Sequence, residues 1–166
     1  MTRPVILFIF LLEIAVTGYG QTYKSDTSVI AILPHDTSRH WLFKDGKPAG
    51  LTPEDLLQVE EVLQKCIGGY NAEQEKLFEK FSKEHSGYSL DKRLFVIDLP
   101  GYKRQYVAVF NSKGEKEVWV NCFCDALDID WKKHQVFVFD GGNCYFNLKI
   151  NLATGEFYDL MVNGDA

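Results

Sequence analysis

The sequence predicts an α+β fold in which one main helix packs on a curved antiparallel sheet of four to six strands. Residues 102–162 alternate apolar and polar side chains with a period of two, which is typical of strands that bury one face. Before them, residues 56–67 repeat apolar side chains at three- and four-residue spacing, which indicates an amphipathic helix. The links between the strands are short, so neighbouring strands should be antiparallel.

Residues 1–20 have the features of a secretory signal peptide. An apolar run over residues 5–16 follows the basic Arg3, and a small residue, Gly20, precedes the expected cleavage point. The apolar run is too short for a membrane-spanning helix, which needs about 20 apolar residues. We therefore expect residues 21–166 to form a single α+β domain that is secreted or periplasmic, without stable membrane insertion.

The composition and net charge of the chain limit the kinds of partner that we expect it to bind. The chain has 46% hydrophobic and 14% aromatic residues, which favours a folded domain over a disordered one. Its formal net charge of -5 argues against nucleic acid and anionic membranes, since both attract clustered Lys and Arg. The basic pair Lys103 and Arg104 is interpreted as two solvated residues of a strand. We expect no nucleic-acid partner, no cofactor, and a monomer or weak dimer.

The main helix has a well-marked start. Ahead of it, residues 29–33 and 41–43 are short apolar runs that predict strands or extended chain. Thr52 is a good N-cap, Pro53 suits the first helical position, and Asp55 follows the cap by three residues, where its carboxylate can complete a capping box. The apolar stripe that follows consists of Leu56, Val59, Leu63, Cys66 and Ile67.

The helix is predicted to end at Gly68 and Gly69, because glycine commonly follows a helix C-terminus. Residues 71–85 are rich in charges but contain three apolar side chains, and they predict a second short helix or, alternatively, a mobile excursion. Residues 94–97 are predicted to begin the sheet.

Four strands are predicted to follow, with the sequences YKRQYVAVFN, EVWVNCFC, HQVFVFD and CYFNLKINL, and EFYDLMV is a candidate fifth. Residues 111–114 and 140–143 supply the Gly and Asn that tight hairpin turns require.

The four cysteines are candidates for disulfides, because their number is even and the chain is predicted to be exported. They are Cys66, Cys122, Cys124 and Cys144. Cys122 and Cys124 would lie about 7 Å apart along one strand, so a bond between them would need a bulge. Cys66 could instead bridge the helix to the sheet. The alternatives are buried free thiols and a zinc site, although the Cys-x-x-Cys spacing of zinc sites is absent.

No catalytic or metal-binding signature is present. The loop CDALDIDW brings Asp125, Asp128 and Asp130 close together, but it lacks the glycine and glutamate of a calcium loop, so we interpret it as a solvated acidic loop. Residues 140–143 lack the Lys-Ser/Thr of a phosphate loop. The histidines are His35, His40, His85 and His134, and none forms a metal-binding pair. We expect no metal and no assigned catalytic residue.

The strand alternation places a group of aromatic side chains on the sheet face opposite the helix. They are Trp119, Phe123 and Tyr145. Phe137 or Phe139 could join them. An open aromatic face in a polar rim often marks a binding surface. The alternative is that the N-terminal segment containing Trp41 and Phe43, or residues 77–81, folds over this face and buries it.

Two phrases of the sequence, YKRQYVAVFNSKGEKEVWVNCFC and DGGNCYFNLKINLATGEFYDLMVNG, resemble a group of small exported proteins of Bacteroidetes-type bacteria with no assigned activity. The resemblance begins near LTPEDLLQVEEVLQKC and covers about the last two thirds of the chain. It implies no catalytic or ligand residues. The ending NLKINLATGEFYDL is also similar to the strand-turn-strand of PepSY-like domains. Cystatin-like, NTF2-like and PepSY-like domains share the predicted shape, which hosts many unrelated functions.

The function predicted from the sequence is that of a small exported binding or interaction domain, inhibitor-like in one version. Its unknown protein or small ligand would meet the aromatic face or the loop at 125–131. One alternative is a small hydrolase or thiol-dependent enzyme that uses Cys144 or Cys124 with a histidine. Another is a structural component of the cell envelope.

Overall fold

A computed structural model describes residues 28–38 and 41–164, which form one sheet with one long helix packed on it. The predicted signal peptide and His40 lie outside these residues. The strands are β1 (Ile30–Ile32), β2 (Lys47–Pro48), β3 (Lys103–Phe110), β4 (Lys116–Phe123), β5 (Tyr145–Asn151) and β6 (Glu156–Val162), and the helix is α1 (Pro53–Glu84). The predicted α+β class with a single main helix is confirmed.

The sheet has the order β1-β3-β4-β5-β6, and β2 also pairs with β3. Strands β3 to β6 pair antiparallel in sequence order, as predicted. Short turns join β3 to β4 and β5 to β6, whereas β4 and β5 are joined by the long loop over residues 124–144. The first strand, in contrast, runs parallel to β3, with Ile30 opposite Arg104. The sheet is therefore mixed and not purely antiparallel. A parallel pair is feasible here because the long α1 provides the crossover between β1 and β3.

The capping box predicted for α1 is present. The Thr52 hydroxyl accepts a hydrogen bond from the Asp55 N–H at 3.2 Å, and the Asp55 carboxylate accepts one from the Thr52 N–H at 2.8 Å. Lys116 on β4 donates to the same carboxylate at 2.5 Å. Burial opposes ionisation of Asp55, but the hydrogen bonds from Lys116 and Thr52 outweigh it and lower the pKa of the carboxyl. The start of the helix is thereby fixed to the sheet.

The predicted end of the helix at Gly68 and Gly69 is wrong. The helix continues to Glu84, so residues 71–84 belong to α1 and do not form a separate helix. Asn71 explains part of the difference, because its side-chain amide donates to the Ile97 carbonyl at 2.9 Å and accepts from the Ile97 N–H at 2.8 Å. A glycine inside a helix costs only about 1 kcal/mol relative to alanine, and such tertiary contacts can offset it.

Two other predicted strands are absent from the structure. Residues 92–94 form a short 3-10 turn and residues 95–97 pair with no strand, although Ile97 is buried against α1. Residues 134–140, predicted to be the third strand of the meander, also have no strand partner within the described chain. They lie instead against a face of the sheet. The turn at 140–143 is consequently not a hairpin turn, and it contains a short 3-10 segment from Gly142.

The helix and one face of the sheet enclose the main core. It contains Val59, Leu63, Cys66 and Ile67 from α1 together with Tyr106, Val118, Val120, Cys122, Phe146, Leu148 and Ile150 from the strands. The sheet face opposite α1, called the far face below, packs against two smaller apolar clusters. Within the described ranges, α1 is the one long helix, and its sequence is too polar to cross a membrane.

Candidate functional site

A row of amide side chains crosses the far face of the sheet. Gln105 on β3 lies opposite Asn121 on β4, and Asn121 lies opposite Asn147 on β5. The row ends at Met161 on β6, which pairs with Asn147. Because strand side chains alternate between faces, all four project away from α1.

The first two amides of the row hold residues 131–140, called the roof segment below, over the sheet. Gln105 is fully buried, and its Nε2 donates to the carbonyls of Trp131 at 2.5 Å and His134 at 2.7 Å. Its Oε1 accepts from the Val136 N–H at 2.9 Å. Asn121 Nδ2 donates to the Val136 carbonyl at 2.8 Å. The backbone of the roof segment thus finds side-chain partners where a strand would have used a neighbouring strand.

The far end of the roof segment is fixed in the same way. Asn163, just after β6, donates from Nδ2 to the carbonyls of Val138 at 2.7 Å and Asp140 at 2.8 Å. At the end of the segment Gly141 has a φ of 83°, and a Cβ there would lie 2.8 Å from the Tyr145 ring. Glycine is therefore required at this position, both because the φ is positive and because a side chain would collide with the Tyr145 ring.

A disulfide closes the loop that carries the roof segment. It joins Cys124, just after β4, to Cys144, just before β5, with a Cα–Cα distance of 5.1 Å. The Cys124 N–H also donates to the Cys144 carbonyl at 2.9 Å. The loop from 125 to 143 accordingly leaves and rejoins the sheet at one place, which limits how far the roof segment can move.

An open cavity of about 720 Å³ lies beside the part of the roof segment that the amide side chains hold. Its floor is the second half of the amide row, from Asn121 through Asn147 to Met161, and its wall is the roof segment from Val136 to Phe139. The residues that line it are Trp41, Trp119, Asn121, Val136, Phe137, Val138, Phe139, Tyr145, Phe146, Asn147, Met161 and Asn163. Its volume falls in the range of small-molecule sites, roughly 300–1,000 Å³.

Three aromatic rings meet at one side of the cavity. Trp41 packs edge-on to Trp119, with centroids 6.2 Å apart, and edge-on to Phe137 at 5.0 Å. The Trp119 and Phe137 rings lie 5.9 Å apart at a smaller angle of 32°. Trp41 remains 59% exposed and Phe139, further along the rim, is 96% exposed. The cavity therefore opens to solvent through an aromatic rim.

The far-face aromatics predicted to bind a ligand are covered. Trp119, Phe123 and Tyr145 are only 2%, 0% and 9% exposed. The alternative in which the N-terminal segment with Trp41 and Phe43 covers this face is confirmed, and the roof segment contributes to the cover. Trp119 and Tyr145 nevertheless line the cavity, whereas the Phe123 ring packs under Trp131 at 6.0 Å.

The cysteine pairing differs from the helix-to-sheet bridge considered from the sequence. Cys124 and Cys144 form the disulfide, while Cys66 and Cys122 are buried free thiols. Burial raises the pKa of the Cys66 thiol to about 11 and that of Cys122 still further above its ordinary value. Neither is therefore a thiolate near neutral pH, and thiolate is the reactive form.

A buried ionic cluster lies on the other side of the sheet, under α1. Arg104 is buried and not solvated as expected, and its Nε lies 3.5 Å from Oε1 of Glu60 on the helix. The Tyr106 hydroxyl donates to the same Glu60 oxygen, and Arg104 Nη2 donates to the Leu99 carbonyl at 3.2 Å. Burial, followed by the charge of Glu60, raises the pKa of Tyr106 well above its ordinary value. This cluster ties α1 to β3 and faces away from the cavity.

The acidic loop is solvated, as its sequence indicates. Asp125 and Asp128 are exposed, and Asp130 forms an exposed ion pair with Lys133 at 2.8 Å. The hydrogen bond from Lys133, together with its charge, lowers the pKa of Asp130. Within residues 28–38 and 41–164, no group of histidine, cysteine and carboxylate side chains is placed to hold a metal ion.

Several cavity residues were not identified from the sequence. Asn147, Met161 and Asn163 each look like an ordinary strand or strand-end residue when taken alone. A usable signal was the position of Gln105 and Asn121, because the alternation places both on the same face as Trp119. Buried amide side chains need hydrogen-bond partners, and most such partners are backbone groups. Two amides on a mostly apolar face therefore indicate that a segment of backbone covers that face.

Comparison of the chain with protein-family models, with curated proteins and with solved structures finds no match. The resemblances described from the sequence therefore remain predictions, and the geometry of the cavity is the main guide to function.

Proposed function

We propose that this protein is an exported binding domain that holds a small ligand in the cavity between the far face of its sheet and its roof segment. The observation that carries the proposal is the cavity of about 720 Å³ with aromatic walls and convergent amide groups. A concave, mainly apolar site with a few placed polar groups is the usual form of a small-molecule site.

The cavity is also preorganised. Gln105, Asn121 and Asn163 fix the roof segment by six hydrogen bonds to its backbone. The disulfide between Cys124 and Cys144 fixes the ends of the loop that contains it. A site that is held open before the ligand arrives loses less conformational entropy on binding.

Export of the protein is supported by two independent features. The first is the signal-like sequence of residues 1–20. The second is the disulfide, since disulfides persist in oxidising compartments and are rare in reducing ones.

The thiol-enzyme alternative has less support. Cys124 and Cys144, the cysteines named for it, are bonded to each other and so carry no thiol. The two remaining cysteines are buried in the core under α1. A nucleophilic cysteine needs thiolate character and access to substrate, and neither Cys66 nor Cys122 has both.

The proposal is tested by blocking the cavity. Met161 lies on the floor, is 64% exposed, and sits on the edge strand β6, so Met161→Trp should fill space without disturbing the core. Leu94→Trp is the matched control, because Leu94 is 59% exposed and is not part of the cavity lining. Both variants and the unchanged protein are screened against a small-molecule library by thermal unfolding.

A ligand present at ten times its Kd should stabilise the folded state by about 1.4 kcal/mol, because binding adds RT ln(1 + [L]/Kd). For a domain of this size the corresponding rise in Tm is about 4 °C. We expect compounds that raise the Tm of the unchanged protein and of Leu94→Trp but not of Met161→Trp. If every stabilising compound acts equally on Met161→Trp, the cavity is not the binding site.

A further inference from the structure

We infer that the ligand of this cavity is an uncharged, flat ring compound that carries one hydrogen-bond acceptor, such as a carbonyl oxygen, directed at Nδ2 of Asn147. This inference rests on the proposed function, and it adds the chemical class of the ligand. Three features of the lining lead to it.

The first feature is charge. Among the described residues that line the cavity, none is an aspartate, glutamate, lysine, arginine or histidine. A charged ligand group that is buried against this lining loses hydration and gains no ionic partner, which is unfavourable. The lining therefore selects against anions and cations.

The second feature is the set of amide groups that remain available. Asn121 Nδ2 is occupied by Gln105 and Val136, and Asn163 Nδ2 is occupied by two roof carbonyls.

Asn147 differs from both of these asparagines. Its Oδ1 accepts from the Trp119 indole N–H at 3.2 Å, which sets the orientation of the amide and leaves Nδ2 as the opposite, donating end. Within the described part of the chain, no acceptor is bound to that Nδ2, and the residue lies on the cavity floor. A ligand acceptor at this point would complete the hydrogen bonding of the amide row.

The third feature is the aromatic wall. Trp41, Trp119 and Phe137 meet with mixed edge-on and tilted geometry, and Tyr145 lies on the same floor two residues before Asn147. Aromatic side chains contact other rings favourably in stacked and edge-on arrangements. A flat ring compound can use both arrangements at once, whereas a flexible chain would lose more entropy when it is immobilised.

The test uses three naphthalene probes of known charge, followed by their fluorescence. N-phenyl-1-naphthylamine is neutral, and 8-anilino-1-naphthalenesulfonate has the same rings with an added sulfonate. 6-Propionyl-2-dimethylaminonaphthalene is neutral and carries a ketone acceptor. Asn147→Asp keeps the acceptor for Trp119, removes the donor and adds a charge. Ser112→Asp adds the same charge at the exposed turn between β3 and β4, away from the cavity.

We expect the neutral amine to bind the unchanged protein about tenfold more tightly than the sulfonate, because the sulfonate must be desolvated. We expect Asn147→Asp to weaken binding of the ketone about fivefold or more, as loss of one hydrogen bond implies. Ser112→Asp should bind all three probes as the unchanged protein does. Folding of each variant is checked by its thermal unfolding.

Three results would count against the inference, and they are distinguishable. If the sulfonate binds as tightly as the neutral amine and Met161→Trp abolishes both, the cavity binds ligands but the neutral class is wrong. The proposed function would then stand. If Met161→Trp leaves the binding of every probe unchanged, the probes bind elsewhere, and both the ligand class and the proposed function fail. A ketone affinity unchanged in Asn147→Asp would refute the role of Asn147.

Discussion

Removing the disulfide should destabilise the protein by an amount that follows from the length of its loop. Cys124 and Cys144 are separated by 20 positions, so the bond restricts a loop of that length in the unfolded chain. The chain-entropy relation for a loop of about 20 residues gives about 11 cal/mol/K, or about 3 kcal/mol at 25 °C. Cys124→Ser combined with Cys144→Ser should therefore lower the free energy of unfolding by about 3 kcal/mol.

Urea unfolding measures this loss. With a slope of about 2 kcal/mol/M, the midpoint should fall by about 1.5 M. The Tm should fall by about 10 °C. The unchanged protein in reductant is the matched control, and its midpoint should equal that of the double variant. A double variant within about 1 kcal/mol of the unchanged protein would show that the loop is held by its other contacts alone, and the entropic reasoning would be refuted.

Three further predictions concern ionisable groups on the helix side of the sheet. Asp55→Asn should lower the free energy of unfolding by about 1–2 kcal/mol at pH 7. Because the pKa of Asp55 is lowered in the folded state, this carboxylate stabilises the protein above its unfolded pKa and loses that effect as the pH falls through its folded pKa. The difference between the two proteins should therefore vanish at low pH. Arg104→Met should lower the free energy of unfolding by about 3 kcal/mol, because Glu60 would stay buried without its cationic partner. In urea unfolding, the variant that combines Arg104→Met with Glu60→Gln should recover part of this loss. No recovery would contradict the pairing of Arg104 with Glu60. Folding raises the pKa of Cys66 from 9.0 to about 11, so the unfolded chain loses the thiol proton first and the free energy of unfolding should decline between those pH values. The Cys66→Ala variant should show a shallower decline. An equal slope in both proteins would contradict the raised pKa of Cys66.

The helix shows what local sequence can and cannot predict. The sequence predicts its N-terminus to the residue, because the capping box of Thr52 and Asp55 and the proline at position 53 are all local signals. Its C-terminus was predicted at Gly68, 16 residues before the true end, since a glycine signal is weak and the contact between Asn71 and Ile97 spans 26 residues of sequence. Contacts of that separation have no local signature.

The strand predicted within the roof segment is wrong for a related reason. HQVFVFD alternates like a strand because Val136 packs in a far-face cluster while Phe137 points toward the cavity rim. That alternation shows that one side of the segment is buried and the other is exposed, and it does not require hydrogen bonding to a neighbouring strand. The partners that replace a strand are the side chains of Gln105, Asn121 and Asn163.

The candidate site was predicted in part. Period-two alternation placed Trp119 and Tyr145 on one face, and both line the cavity. The cavity itself depends on where Trp41 and the roof segment fold back, and on the pairing of Met161 with Asn147 across β5 and β6. These are long-range arrangements that the alternation of a single strand does not specify.

The most direct test of the proposed binding site uses the three tryptophans of the chain as reporters. Trp41 and Trp119 line the cavity, and Trp131 does not. The measurement is a titration of 15N-labelled protein with 6-propionyl-2-dimethylaminonaphthalene, followed through the three indole N–H signals, with Trp131→Phe used for assignment. We predict that the Trp41 and Trp119 signals shift together with one affinity while the Trp131 signal stays in place. A shift confined to Trp131, or no shift of Trp119 at saturating probe, would contradict ligand binding in this cavity.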